Sequence, residues 1–263
     1  MDIEGARILV TGASSGIGAA LAEQLAGRGA RLGLVARRRE RLEAVRERCG
    51  PGARAWPADL ADLERAEEIV GEARAALGGL DAIVANAAVP CRVPIERLDG
   101  ARVAEVMDVD FHAPVRMALA ALPEMRERGS GQLVFVSSFG GRTPIPQEAA
   151  YNAAKYALCG FAEAACVDLW GTGVEVKLIL PGPIETEIWD RPGNEPGLFE
   201  VEKVPAAECA AGILEAMETP GFEFYVPAVF PGGLDARQAV VRKSEDCDAY
   251  VRGLGEVARS LRG

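Results

Sequence analysis

The sequence predicts an α/β protein: one doubly wound parallel sheet of about seven strands with helices on both faces, a single domain over residues 1–263. Two observations carry this expectation. Short apolar runs alternate with amphipathic stretches of helical period, the mark of repeated βαβ units. Glycines stand where the helical stretches should stop, at Gly29, Gly50, Gly78, Gly129 and Gly171.

Taken in order, residues 7–11 (RILVT), 31–35, 53–58, 82–85, 132–137 and 175–180 read as strands, with 222–226 as the last. Between them, residues 17–29, 38–49, 63–77, 101–128, 149–170 and 206–217 have helical periodicity. The least regular stretch is 186–205, with Pro192, Gly193, Pro196 and Gly197 close together. It is long for a βα connection and is expected to be either disordered or a lid over a substrate site. Residues 227–263 form a C-terminal extension with a helix expected over 246–261.

Composition narrows the function. With 29 basic against 39 acidic residues the net charge is −10, which argues against nucleic acid or an anionic membrane as partner. The first ten residues lack a basic stretch followed by an apolar one, and no window approaches eighteen apolar residues, so neither a secretion signal nor a membrane span is expected. Six scattered cysteines and one histidine form no zinc pattern, so a reduced, cytoplasmic, metal-free protein is the expectation.

Chemistry enters with Thr11-Gly12-Ala13-Ser14-Ser15-Gly16-Ile17-Gly18, placed between the first strand and the first helix. In that context Gly12 permits a tight turn, Gly16 close backbone approach, and Gly18 packing of helix on strand, leaving helix N-terminal amides to face a pyrophosphate. Farther along, Tyr151 and Lys155 lie four apart, on one helix face, thirteen residues after Ser138. An ammonium beside a phenol favours phenolate, so Lys155 is expected to lower the Tyr151 pKa and make it a usable proton carrier. Taken singly these residues have plainer explanations, a half-buried packing tyrosine and a strand-end serine. In register behind a phosphate cradle they point to a nicotinamide enzyme.

The spacing G-x-x-x-G-x-G resembles the short-chain dehydrogenase/reductase family, and further matches follow in that family's order. Asp59-Leu60 stands after the third strand, Asn86-Ala87-Ala88 ends the fourth, and Ser138 ends the fifth; Tyr151 and Lys155 follow, and Pro181-Gly182, Ile184 and Thr186 close the sixth. The resemblance spans residues 6–226. It implies a Rossmann-type fold, catalysis by Ser138, Tyr151 and Lys155, and a cofactor held by Gly12, Ser14, Ser15, Gly16, Ile17, Gly18, Asp59, Leu60, Asn86, Ala87, Ala88, Tyr151, Lys155, Pro181, Gly182, Ile184 and Thr186. It also implies a homodimer or homotetramer through the helices over 101–128 and 149–170. Two positions depart from the family. Ala88 replaces a glycine, and Asp110 stands where a catalytic asparagine is usual, keeping acceptor oxygens but losing amide donors. Asp110 is therefore a fourth candidate, either in a proton relay or holding a helix kink. His112, the sole histidine, could be drawn with Ser138 as a hydrolase, but no nucleophile elbow surrounds Ser138.

The end of the second strand chooses the cofactor. An NAD site needs a carboxylate for the ribose hydroxyl, whereas Ala36 is followed by Arg37 and Arg38, suited to a 2′-phosphate. NADP(H) is expected rather than NAD(H), with Arg39 and Arg41 read as solvated charges beside Glu40 and Glu43. Substrate walls are expected from Ser138, Phe139, Gly140, Arg142, Ile145, Gln147, Pro183, Ile188 and Trp189, mostly apolar, which suits a medium-sized ketone, aldehyde or alcohol. Arg142 would favour an anionic substrate unless it bridges to Glu148. The alternative to an oxidoreductase is a non-catalytic NADP(H)-binding protein. Nucleotide-sugar epimerases share the Tyr-x-x-x-Lys pair but need a larger C-terminal domain than 37 residues beyond Val226 provide.

Overall fold

The computed structural model describes residues 1–189 and 191–261. Alternation of element types resolves into β1 (Arg7–Thr11), α1 (Gly16–Gly27), β2 (Arg31–Ala36), α2 (Arg39–Arg48), β3 (Arg54–Pro57), α3 (Leu63–Leu77) and β4 (Ala82–Ala85). Then come α4 (Gly100–Met107), α5 (Ala113–Arg128), β5 (Gly131–Val136), α6 (Ala149–Asp168) and β6 (Val174–Pro181). The chain closes with β7 (Ile184–Glu185), β8 (Val204–Pro205), α7 (Ala206–Glu218), β9 (Glu223–Val226), α8 (Ala236–Glu245) and α9 (Cys247–Ser260). Seven strands form one parallel sheet in the order β3-β2-β1-β4-β5-β6-β9. The order reverses between β1 and β4, which opens a crevice at the carboxyl ends of the strands.

Strands buried on both faces read as unbroken apolar runs, as in RILVT of β1 and AIVA of β4. Leu21 and Leu25 of α1, Leu42 of α2 and Ile213 of α7 pack one face; Ile69 of α3, Met117 of α5 and Leu158 of α6 pack the other. The predicted glycine stops hold: Gly78 and Gly129 end α3 and α5 in the left-handed conformation.

Three features depart from the sequence expectation. The single helix predicted over 101–128 is two helices, α4 and α5, separated by a π-helical turn at Asp108–His112. Pro114 lacks the N–H that would bond to the Asp110 carbonyl in a continuous α-helix, so the chain widens there and turns Asp110 inward. Residues 186–205 are not wholly irregular, because β7 and β8 pair in parallel across them. The C-terminal extension holds α8 as well as the predicted last helix; Asp235 and Asp246 cap α8 and α9 by accepting from Gln238 and Ala249 N–H groups. Among the described residues no helix is long and apolar enough to cross a membrane.

Candidate active site

The crevice is a cavity of about 1330 Å³ running from the β1 and β2 ends to the C-terminal extension. That exceeds a usual small-ligand pocket and leaves room for a dinucleotide together with a substrate. At one end the Thr11 hydroxyl accepts from Asn86 and Ala87 N–H at 2.9 and 3.0 Å, while Asn86 Nδ2 donates to the Thr11 carbonyl at 3.0 Å. These bonds clamp the turn after β4 against the turn after β1. Gly12 and Gly16 both have positive φ, 68° and 53°. A Cβ at Gly18 would run into the Gly12 carbonyl and meet Asn86 Nδ2 at 2.6 Å, so that glycine is fixed by packing alone. A Cβ at Gly16 would meet Thr186 Cγ2 at 2.9 Å. The close approach there is by the segment after β6.

This cradle fits a dinucleotide. Gly12, Ser14, Ser15, Gly16 and Ile17 line it below; Arg37, Arg38, Asp59 and Leu60 stand at the β2 and β3 ends; Asn86, Ala87, Ala88, Pro181, Gly182, Ile184 and Thr186 complete the channel. Gly18 lies beneath the lining. Arg38 donates to Ser14 Oγ at 3.2 Å and Ser15 Oγ at 2.5 Å, and it pairs with Glu187. Arg37 lies 3.7 Å from the Asp59 carboxylate. Arg41, expected to pair beside Glu40 and Glu43, instead donates to Glu187 at 2.7 Å, and Glu43 pairs with Arg46. The two guanidiniums hold the Glu187 carboxyl down at about 2.

Midway along the cavity Ser138, Tyr151 and Lys155 converge from the end of β5 and from α6. Ser138 Oγ accepts from Gly140 N–H at 3.0 Å, and a hydrogen bond joins the Ser138 and Tyr151 hydroxyls. Lys155 Nζ donates to the Val136 carbonyl at 3.3 Å, lies 3.3 Å from Asp110 Oδ2, and sits 5.5 Å from the Tyr151 ring centre. Asp110 is fully buried behind the lysine and its Oδ1 accepts from Val89 N–H at 2.6 Å. Burial pushes the Asp110 carboxyl up against the pull of Lys155 and the Val89 amide.

The chain's own groups raise the Tyr151 phenol rather than lower it as expected of Lys155. Burial, then the Asp110 and Glu148 carboxylates, push the phenol well above its ordinary value, against a smaller downward pull from Ser138 and Arg92. Lys155 is paired with Asp110. His112 is half-exposed, with Nδ1 2.9 Å from Asp108 Oδ1, on the outside of the π turn and away from Ser138.

Of the expected substrate walls, Ser138, Phe139, Ile145, Pro183 and Ile188 line the cavity. Arg142 does not: it pairs with Glu163 and Glu223, tying α6 to β9, and its carbonyl accepts from Lys243 at 2.8 Å. The partner of Glu148 is Arg92, whose Nε donates to Oε1 at 2.8 Å. Gly140 lies behind Ser138, packed toward Asn152 and Ile145. Gln147 has φ 68° and faces a separate cleft beside Tyr156 and Lys243. The Trp189 side chain lies outside the described residues.

Several lining groups escape sequence reasoning: Arg92, Glu148, Glu187, Phe230, Tyr250 and Leu254. Glu148 alone carried a signal, since it stands one helical turn before Tyr151. Its carboxyl is pushed to about 7 by burial, against Arg92.

A family model for short chain dehydrogenases matches residues 6–195, and the chain belongs to that family. An uncharacterized oxidoreductase of Myxococcus xanthus is 40% identical over 207 residues, 76% of this chain and 80% of that one. Other curated relatives are longer, and the match spans little more than half of some of them. A solved short chain dehydrogenase of Burkholderia cenocepacia in complex with NADP superposes with TM-score 0.79 at 28% identity, covering 97% of this chain and 99% of that one. One of Burkholderia phymatum in complex with NAD, at 21% identity and TM-score 0.84 over 95% and 96% of the two chains, shares the fold. The protein is thus an oxidoreductase of the short-chain dehydrogenase family with a Rossmann-like sheet.

Proposed function

We propose that the chain is an NADP(H)-dependent carbonyl reductase or alcohol dehydrogenase acting on a medium-sized, mostly apolar substrate, with Tyr151 as its proton donor and acceptor. One observation supports this above the rest. The linked Ser138 and Tyr151 hydroxyls stand in the wall of a cavity whose other end is a phosphate cradle. When bound, the nicotinamide cofactor supplies or takes up the hydride. Ser138 holds the carbonyl oxygen by its hydroxyl, and Tyr151 gives that oxygen its proton as the alcohol forms. A phenol raised by burial keeps its proton at neutral pH, which suits donation to an oxygen becoming alkoxide. Lys155, steadied by Asp110 and the Val136 carbonyl, supplies positive charge beneath the phenol. Asp110 works through Lys155 and serves as a positioning residue.

Two arginines at the β2 end, with the serine hydroxyls beside them, support NADP(H) over NAD(H). The cavity walls from Pro144, Ile145, Pro183, Leu198 and Phe230 support an apolar substrate. Residues 186–205 act as a lid in this reading, with Ile188, Leu198, Phe199 and Val201 facing the cavity. Half-buried Val115, Leu122, Phe161 and Ala165 and exposed Leu119, on α5 and α6, support a homodimer or homotetramer. Leu158, Ala162 and Leu169 of the same pattern belong to the monomer core. A monomeric mass by light scattering at micromolar concentration would refute the assembly. Screening ketones, aldehydes and alcohols by NADPH absorbance tests the activity; cofactor binding without turnover of any of them would favour the non-catalytic alternative.

A further inference from the structure

Glu187 follows Thr186, which sits against Gly16, and its carboxylate is the centre of an ion cluster at the β2 end of the channel. Arg41 Nη1 donates to both carboxylate oxygens at 2.7 Å, and Arg38 pairs with Oε1 while holding Ser14 and Ser15. Two guanidiniums and adjacent serine hydroxyls around one carboxylate are the donor set that an oxyanion such as phosphate calls for. Ser14, Ser15, Arg37, Arg38 and Glu187 all line the cavity, so the cluster is open to a ligand lying along the channel.

We infer that Glu187 is an internal anion occupying a phosphate receptor, and that its competition for Arg38 and Arg41 sets how strongly the protein prefers a 2′-phosphorylated cofactor. The inference rests on the NADP(H) reading. A 2′-phosphate at the β2 end needs the donors that Glu187 holds, and a carboxylate left beside it would repel it. An unphosphorylated ribose asks nothing of these arginines and leaves the Glu187 contacts in place. Glu187 therefore narrows the discrimination that Arg37 and Arg38 would otherwise give. The residue is more than a third exposed, so a substitution there leaves the core untouched.

The test uses fragments that report on the adenosine end without turnover. Adenosine 2′,5′-bisphosphate and AMP are titrated into the full chain and into Glu187→Gln by isothermal calorimetry at low salt. The bisphosphate should bind the variant about threefold to tenfold more tightly than the unaltered chain, the size expected for releasing a pair of exposed ion pairs. AMP should change by less than about twofold, and added salt should shrink the difference between the proteins. Unchanged or weaker bisphosphate binding by Glu187→Gln overturns the inference, and so does a loss of AMP binding, which would make Glu187 a ribose ligand. Equal affinity of the unaltered chain for the two fragments, persisting in the variant, overturns the NADP(H) reading itself. Tight bisphosphate binding that ignores Glu187 refutes only the competition.

Discussion

At the cofactor end of the cavity each principal wall is a strand end or the turn that follows it: Gly12 after β1, Arg37 after β2, Asn86 after β4 and Gly182 after β6. At the substrate end the walls come from elsewhere. Arg92 lies in the long segment after β4, Phe199 between β7 and β8, Phe230 after β9 and Tyr250 on α9. The first set is fixed by the sheet, because parallel strands in register bring their turns to one edge without regard to side chains. The second depends on how independent loops happen to meet. One end is therefore rigid and constrained by backbone sterics, and the other can be rebuilt without touching the sheet.

The sharpest test of that division is where the two ends meet. Tyr151→Phe removes one hydroxyl and leaves the ring, Lys155 and the glycine cradle as they were. Turnover should fall by about 10² to 10⁴, the range for losing general acid–base help, while NADPH affinity stays within severalfold. Steady-state kinetics and a fluorescence titration on the same preparation decide it; a variant that keeps most of its turnover refutes the mechanism. Lys155→Ala, whose side chain lines the cofactor channel and balances Asp110, should damage both readouts.

Gly18→Ala asks whether the cofactor end is as unforgiving as its sterics imply. The new methyl would have to displace the Gly12 carbonyl or Asn86 Nδ2, which is held by its bond to the Thr11 carbonyl. Overpacking of this kind costs about 1–3 kcal/mol. We expect a lower melting temperature together with loss of dinucleotide binding. A variant that melts and binds as the unaltered chain does would show that the cradle yields, and the contrast between the two ends would lose its basis.

What could be read in advance follows the same line. Gly12 and Gly16 were legible because each meets a local backbone demand, Gly18 by its place in the glycine spacing, Asn86 through the family resemblance, and Tyr151 and Lys155 because a spacing of four places them on one helix face. The substrate end was legible only in part. Arg142 looked like a pocket residue by its place after Ser138, but Glu163 and Glu223 lie far off in sequence and draw it out of the cavity. Tyr250 and Leu254 carry no local sign of lining the cavity, since that depends on the path of the whole extension. The break at Asp108–His112 could have been suspected from Pro114, but nothing local says that a buried aspartate will then face Lys155.

Glu148 probes the substrate end by pH. Burial raises its carboxyl from an ordinary 4.5 to about 7, so the folded chain binds the proton more tightly than the unfolded one. A raised carboxyl pKa stabilises the fold fully below about pH 4.5, and that contribution is lost as pH climbs to about 7. Its size is about 3 kcal/mol at most, net of the opposing pull of Arg92. Melting curves of Glu148→Gln and the unaltered chain should therefore diverge in favour of the variant between pH 5 and pH 8. Parallel curves across that window would mean that Glu148 is ionised throughout and that its pairing with Arg92 outweighs burial.

The smallest effect expected is at the mouth of the cofactor end, where exposure weakens what rigidity supplies elsewhere. Arg37 is more than half exposed and lies 3.7 Å from Asp59, so solvent screens it and its own ion pair contributes little. In the NADP(H) reading its value lies in what it offers a 2′-phosphate, a planar fork worth about 1.5–3 kcal/mol when it bonds a charged oxygen. Arg37→Ala should then weaken NADPH binding about tenfold or more and leave NADH nearly unchanged, as read by fluorescence quenching with each cofactor. Arg38→Ala should also weaken NADPH binding, because it removes a donor and leaves the Glu187 carboxylate with one guanidinium fewer beside the phosphate. If Arg38→Ala costs more than Arg37→Ala, the phosphate is held within the Glu187 cluster and Arg37 is an outlying charge. If neither change separates NADPH from NADH, the arginines at the end of β2 do not read the phosphate, and the cofactor end is less specified by its sequence than its glycines imply.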